Sequence, residues 1–310
     1  VKYPVDIEAG NAFVERIKKV APAIGGFSGM FKVPSGYDNP VLVSGADGVG
    51  TKINIAKIAN NYTTIGQDLV AMCVNDVICC GAKPLYFLDY ISTKKIDDII
   101  LDQIMFGIVS GCEKAGVELI GGETAEHPRQ THYDLAGFCT GIVEENKIID
   151  GSRIKPGDKI IGIKSSGLHS NGYSLINDML FRQKIFYKDM SVELLAPTTI
   201  YAPLIAKLLK PKFVHKTPDI LSRVEISIHG MAHITGGGLL ENVSRCLPKG
   251  LTAHIDWNSW TMPDIFHKIM LAGEIAEEEM KKTFNMGIGF CIVVPPDVEV
   301  EEGIEIGTVE

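Results

Sequence analysis

Ser44-Gly45-Ala46-Asp47-Gly48-Val49-Gly50-Thr51-Lys52 closes an apolar run that starts at Val41 and sets one carboxylate among glycines, with a hydroxyl and an ammonium behind it. Glycines let backbone N–H groups approach an anion closely, and elsewhere they are an entropic cost. Asp47 has the wrong charge for a phosphate. Its place here makes chemical sense when a divalent cation lies between acid and anion. At an effective dielectric near 20, two like charges a few ångströms apart repel by roughly 4 kcal/mol. Mg2+ reverses that sign, since one or two carboxylates plus substrate phosphates are its usual ligands. A P-loop is excluded by order: it needs Lys before the Ser/Thr, and here Thr51 precedes Lys52.

Working outward, Val41 to Ser44 is expected to be a buried strand, and Ile65 to Cys80 a helix with Leu69, Val70, Cys73, Val74, Val77 and Ile78 at helical spacing. A strand at Leu85 to Ile91 follows, then a helix from Ile96 to Ala115 and strands at Val117 to Ile120 and Leu135 to Val143. The turn signals Asp150-Gly151 and Lys155-Pro156-Gly157-Asp158 put a domain boundary at residues 150/151. Beyond it come a strand at Lys159 to Lys164, helices at Asn171 to Gln183 and Tyr201 to Leu209, and strands at Leu251 to Ile255 and Ile288 to Val294. Strands and helices alternate, so the class is α+β with α/β-type layers, in two domains.

On the helix from Ile65, Asp68 and Asn75 lie within about 20° of one another, and Asp76 roughly 80° from Asp68. So apolar a helix places acids on its flank where that flank meets solvent or a site. Gly121-Gly122-Glu123-Thr124 repeats the pattern of Asp47, a strand exit into glycines and then a carboxylate. In alternating folds ligands collect at such strand ends.

The chain has 310 residues, 45% hydrophobic and 22% charged, enough for two cores. Its formal net charge of −8 and lack of a Lys/Arg run argue against a nucleic-acid surface. The seven cysteines contain no C-x-x-C pair and read as reduced core residues. There is no apolar run long enough for a membrane helix and no basic-then-apolar pattern over Val1 to Glu8, so a cytoplasmic location is the default expectation.

Six ordered segments together are more specific than any one loop: Asp6 to Asn11, Gly45 to Lys52, Asp68 to Asp76, Gly122 to Glu126, His169-Ser170-Asn171-Gly172-Tyr173-Ser174, and Thr235-Gly236-Gly237-Gly238. In content, order and spacing they resemble the phosphoribosylformylglycinamidine cyclo-ligases, also called aminoimidazole ribonucleotide synthetases. The resemblance implies an N-terminal four-stranded sheet with helices that joins a partner's sheet into a barrel across a homodimer, and a C-terminal α/β sandwich. It implies Mg2+ and ATP, with Asp47, Asp68, Asp76 and Glu123 as metal ligands. Lys18, Gly25, Gly26, Gly48, Gly50, Thr51, Lys52, Asn75 and Thr124 join them around the nucleotide. Gly25 to Gly29 is either a mobile lid or a surface loop.

The same resemblance makes His169 a catalytic group beside the reacting amide, with Asp47 and Asp76. Ser170, Asn171 and the turn Gly236-Gly237-Gly238 are expected at the ribonucleotide substrate, the last as a helix N-terminus facing a phosphate. The implied reaction phosphorylates the formyl oxygen of formylglycinamidine ribonucleotide. The ribosyl nitrogen then attacks the formyl carbon and phosphate departs, so the products are aminoimidazole ribonucleotide, ADP and phosphate. Thr199 departs from the family pattern, which usually has Arg there. Two related readings remain, a small-molecule kinase of the same superfamily and a non-catalytic nucleotide-binding assembly factor.

Overall fold

The computed structural model describes residues 7–185, 187–210, 212–217, 220–224 and 227–310. Asp6 of the first resemblance segment lies outside them. The elements in chain order are α1 (Ile7–Val20), β1 (Pro40–Gly48), α2 (Lys52–Ala59), α3 (Ile65–Ile78), β2 (Lys83–Thr93), α4 (Asp98–Ala115), β3 (Glu118–Glu126) and β4 (Asp134–Glu144). Then follow β5 (Lys159–Lys164), α5 (Tyr173–Phe181), α6 (Tyr187–Leu194), α7 (Ala202–Leu208), β6 (Lys212–Thr217) and β7 (Ile220–Val224). The last are β8 (Gly230–His233), α8 (Gly238–Ser244), β9 (Ala253–Ile255), α9 (Asp264–Gly273), α10 (Glu277–Thr283), β10 (Ile288–Val294) and β11 (Ile304–Val309).

The first sheet has four strands in the order β1-β4-β2-β3, and the second has five, β8-β10-β5-β11-β9. The expected α+β class with two layered units is the class observed. Strand β2 runs antiparallel to β4 and parallel to β3, because α4 carries the chain back between β2 and β3. Helix α4 is capped by the Asp97 carboxylate, which accepts from Ile99 and Ile100 N–H, and ends at Gly116 in the left-handed region. One face of the four-stranded sheet packs on α3 and α4. The other leaves Leu42 and Phe138 exposed at 58% and 45%.

Two expected strand exits are strand instead. Gly45 to Gly48 stays in β1, paired residue for residue with Cys139 to Ala136, and Gly121 to Glu126 stays in β3 beside β2. Glycine is weak in strands by itself, yet both ladders continue through it because the partner strands supply unbroken pairing. Asp47 and Glu123 are therefore fixed by sheet register, which holds a side chain more tightly than a free turn would. Helix α3 is nearly all buried, because one side lies on the sheet and the Asp68/Asn75 side lies on the C-terminal unit.

Candidate active site

Lys52 and Asp68 are both 0% exposed, and Lys52 Nζ stands 2.9 Å from Asp68 Oδ1. The ammonium also donates to the carbonyls of His169 (2.9 Å) and Ala196 (2.7 Å). All three of its protons are spent inside the protein. Burial pulls the lysine below its ordinary pKa, and Asp68 opposes that pull. Asp68 Oδ1 further accepts from Thr198 N–H (2.7 Å) and Thr198 Oγ1 (2.6 Å). The expected phosphate contact and metal ligand form instead an interior tether between α3 and the 196–198 segment of the other unit.

Asn75 does the same work one turn-pair later. Its Nδ2 donates to Thr199 O (2.9 Å), and its Oδ1 accepts from Tyr201 N–H (3.0 Å). It is fully buried, so the expected role as a neutral donor to a metal gives way to holding the seam.

His169 is 0% exposed and sits at φ 60°. Its Nε2 accepts from Ser166 N–H (3.2 Å) and Thr199 N–H (3.4 Å), which leaves the proton on Nδ1. Burial, with His233 and Lys52 nearby, holds its pKa well below 6.5, so the ring is neutral. Its carbonyl, held by Lys52, and its ring, held by backbone N–H groups, fix the path of Ser170-Asn171-Gly172. The expected catalytic contact is thus a positioning contact in this structure.

At the rim of that seam His233 Nδ1 lies 2.8 Å from Asp76 Oδ1. An ionised carboxylate only accepts, so the proton is on Nδ1, and Nε2 faces Asn75 Nδ2 at 3.4 Å. Asp76 is half exposed, whereas His233 is buried. Asp47 is raised above the ordinary carboxylate pKa by burial, and Asp76 adds to the rise; the Gly48 N–H and His233 oppose it. Asp47, Asp76 and His233 are therefore electrostatic neighbours. Asp76, His233, Asn242, Arg245, Cys79 and Cys246 line a cavity of about 320 Å³ between the two units.

Glu123 is elsewhere. Together with Asp89 and the 24–29 segment that carries Gly25 and Gly26, it lines a second cavity of about 430 Å³ at the β3 edge. Asp89 is 7% exposed, and burial lifts its pKa to about 7, with Glu123 adding to the rise. Thr124 pairs with Ile91 in the same strand ladder. Gly48 N–H donates to its neighbour Asp47, while Gly50 takes a positive φ just before Thr51. Thr51 meets α5, its Oγ1 3.3 Å from Ser174 Oγ and its carbonyl accepting from Asn177. Lys18 lies on exposed α1 and pairs with Glu15 at 3.0 Å.

The expected substrate residues do come together. Asn171 Oδ1 accepts from Gly236 N–H at 3.0 Å, and Ser170 Oγ is 3.0 Å from Thr198 Oγ1. Helix α8 begins at Gly238 after Gly237 at φ 94°, but an added Cβ on Gly237 would stand 2.5 Å from the Glu241 carboxylate. An acid already occupies the positive end of that short helix, which weakens it as a phosphate site.

Residues 30–143 match the family model of the AIR synthase related protein N-terminal domain, and residues 155–306 that of the C-terminal domain. A phosphoribosylformylglycinamidine cyclo-ligase of Coxiella burnetii (strain RSA 331 / Henzerling II) is 50% identical over 323 residues, covering 98% of this chain and 88% of that relative. The chain belongs to the phosphoribosylformylglycinamidine cyclo-ligase family.

Among solved structures, hydrogenase maturation protein HypE in complex with ATP matches with a TM-score of 0.65 at 16% identity, covering 97% of this chain and 86% of that one. Thiamine-monophosphate kinase from Stenotrophomonas maltophilia K279a matches with a TM-score of 0.65 at 18% identity, covering 96% and 93%. At such identities these two speak for the fold. In this cyclo-ligase family member three side chains at the cavities escaped the sequence reading: His233, Arg245 and Asp89. Asp89 had a legible signal. It shares the strand parity of Phe87 and Ile91, so an acid stands where the alternation demands an apolar residue. His233 had none, since its partner Asp76 is chosen by the packing of the two units, and Arg245 had none, since its local bond to Asn242 at the end of α8 says nothing of a cavity.

Proposed function

We propose that this chain closes the imidazole ring of formylglycinamidine ribonucleotide with consumption of ATP, releasing aminoimidazole ribonucleotide, ADP and phosphate in purine biosynthesis. It is a ligase that forms a C–N bond. The observation that carries the reading to the site is Asp76, held by His233 across the seam on the wall of the interdomain cavity, with Asp47 as the electrostatic neighbour of both.

The residues fit Mg2+ in a particular way. Among the described residues, no group of three or more His, Cys, Asp or Glu gathers closely enough to hold a metal on its own. Two neighbouring carboxylates completed by substrate phosphates are the donor set Mg2+ favours over an all-protein cage. When bound with ATP, Mg2+ supplies charge neutralisation on the phosphates.

The chain's own groups then do the remaining work. Asp47 and Asp76 are the carboxylates that would hold the cation, and the His233 N–H fixes the Asp76 carboxylate. Arg245, on the same cavity, supplies the positive charge that the acid-capped α8 does not, and receives the ribose phosphate. Lys52, Asp68, Asn75 and His169 keep the two units in register so that both substrates meet. Ser170, Asn171 and Gly236 line the substrate approach, and Gly25 and Gly26 border the nucleotide side.

The division into units at residues 150/151 belongs to this reading, as does the homodimer. The exposed sheet face with Leu42 and Phe138, flanked by exposed Phe27 and Met30, is the surface a second copy would cover. No helix among the described residues is long and apolar enough to cross a membrane. A cytoplasmic site of action, with no nucleic-acid partner, completes the proposal. The test is ADP release measured with and without formylglycinamidine ribonucleotide, with product identified as aminoimidazole ribonucleotide. Release that ignores the amidine would favour a nucleotide-binding assembly factor, and phosphate transfer to another small molecule a kinase.

A further inference from the structure

Away from the cavities at the seam and at the β3 edge, Tyr62, Tyr133, Ile53 and Ile100 enclose another of about 140 Å³, between α2, the end of β2 and the segment that leads into β4. It shares no residue with either. The two tyrosine rings meet at 5.8 Å between centroids and at 57°, which makes a flat apolar corner that the isoleucines close. Drug-sized ligands take about 300–1,000 Å³. At less than half of the lower figure, this cavity has room for one small ring and none for a nucleotide.

The polar side chains around that corner are an amide, hydroxyls, an imidazole and two ammonium groups, without a carboxylate, in a chain whose net charge is −8. Lys57 and Lys94 are exposed at its rim, and neither is ion-paired among the described residues. Tyr62 is different. It is 3% exposed, its N–H is pinned by Gln103 Oε1 at 2.8 Å, and no hydrogen bond among the described residues reaches its hydroxyl. Burial pushes this phenol above its ordinary pKa, with Tyr133 and Asp97 adding to the rise, so the hydroxyl keeps its proton and is a donor. Buried hydroxyls are as a rule hydrogen-bonded, because leaving one unmet is costly, and this one borders a cavity from which a ligand can bring the acceptor. Tyr133 needs none, since Thr93 and the Asp97 backbone serve its oxygen. The Asp97 carboxylate is engaged by Ile99 and Ile100 N–H at the start of α4.

We propose that this cavity is a binding site for a small aromatic carboxylate, its ring against Tyr62 and Tyr133 and its carboxylate between the Tyr62 hydroxyl and the Lys57 and Lys94 ammonium groups. Ring faces alone would accept a neutral ring, and lysines alone an inorganic anion. A buried donor beside two unpaired cations and two ring faces calls for both properties in one molecule.

The experiment titrates benzoate into the full chain by ligand-observed NMR, beside benzamide and inorganic phosphate, each with and without Mg-ATP. Benzoate should bind saturably, benzamide roughly tenfold more weakly for want of the charge, and phosphate should not displace benzoate. Tyr62→Phe keeps the ring and removes the donor, and should weaken benzoate roughly tenfold at an unchanged unfolding midpoint. Lys57→Gln combined with Lys94→Gln should weaken it roughly fivefold and flatten its salt dependence. Absence of saturable benzoate binding, equal affinity for benzamide, or an unchanged affinity in Tyr62→Phe overturns the proposal. Displacement of benzoate by Mg-ATP gives the cavity to the nucleotide and overturns it too. None of these results touches the enzyme reading, which stands or falls on amidine-dependent ADP release.

Discussion

Replacing Asp89 by Asn in the cation-free protein tests whether this buried acid is held against its own solvation. Its pKa is lifted from 3.8 to about 7 by burial. The folded chain therefore binds the proton more firmly than the unfolded chain does, and between these values folding takes up a proton. Stability contributed through this group then falls as pH rises through that window, the reverse of a salt-bridged carboxylate. At 1.36 kcal/mol per pKa unit, ionising Asp89 costs the fold about 4 kcal/mol above the folded pKa and almost nothing near about pH 4. The amide of Asn gives up that penalty but leaves its own hydrogen bonds unmet, at about 1–3 kcal/mol. That second cost does not vary with pH. The stability difference between variant and wild type should thus shift in favour of the variant by about 2.5 kcal/mol between about pH 5 and about pH 8. Urea unfolding of both proteins with a chelator present, at several pH values, measures it. A difference that stays flat across the range would refute the reasoning, because Asp89 would then titrate as an exposed acid.

Lys52→Met strips Asp68 of its counter-charge in a fully buried setting and should destabilise the fold by about 3–5 kcal/mol, read as a lower urea midpoint; a loss under about 1 kcal/mol would return Lys52 to a surface role. Asp76→Asn should weaken Mg-ATP binding in a calorimetric titration while leaving the unfolding midpoint near that of wild type, since Asp76 is half exposed; equal nucleotide affinity would remove it from the site. Because His169 is neutral and buried, His169→Ala should lower turnover more than nucleotide affinity, with no new pH dependence near neutrality; normal turnover would leave it a packing residue. Phe138→Glu, on the exposed sheet face, should shift the sedimentation of the chain from dimer to monomer, and an unchanged profile would place the interface elsewhere.

Much of this was written in the local sequence. Helical spacing on Ile65 to Cys80 gave α3 to within two residues, and the apolar run at Ile288 to Val294 gave β10 at its observed bounds. Those elements follow from period and burial, which neighbours in the chain determine. The glycine signals at Gly45 and Gly121 misled as turns, because whether a glycine ends a strand depends on what its partner strand can accommodate, and Cys139 to Ala136 accommodates β1.

The acids divide along the same line. That Asp47, Asp68, Asp76 and Glu123 were unusual for their surroundings could be read from their glycine neighbours and from helix phase. Which of them meets a cavity could not. Asp68 and Asn75 share a helix face with nothing in their spacing to mark them as seam residues, and it is Thr198 and Tyr201, more than a hundred positions away, that consume their hydrogen bonds. Asp76 escapes by being rotated roughly 80° out of that contact. Sequence fixes which side chains are costly to bury, through the local period and the desolvation of charge. Only the docking of two distant units decides which costs are met by protein donors and which are left for a ligand.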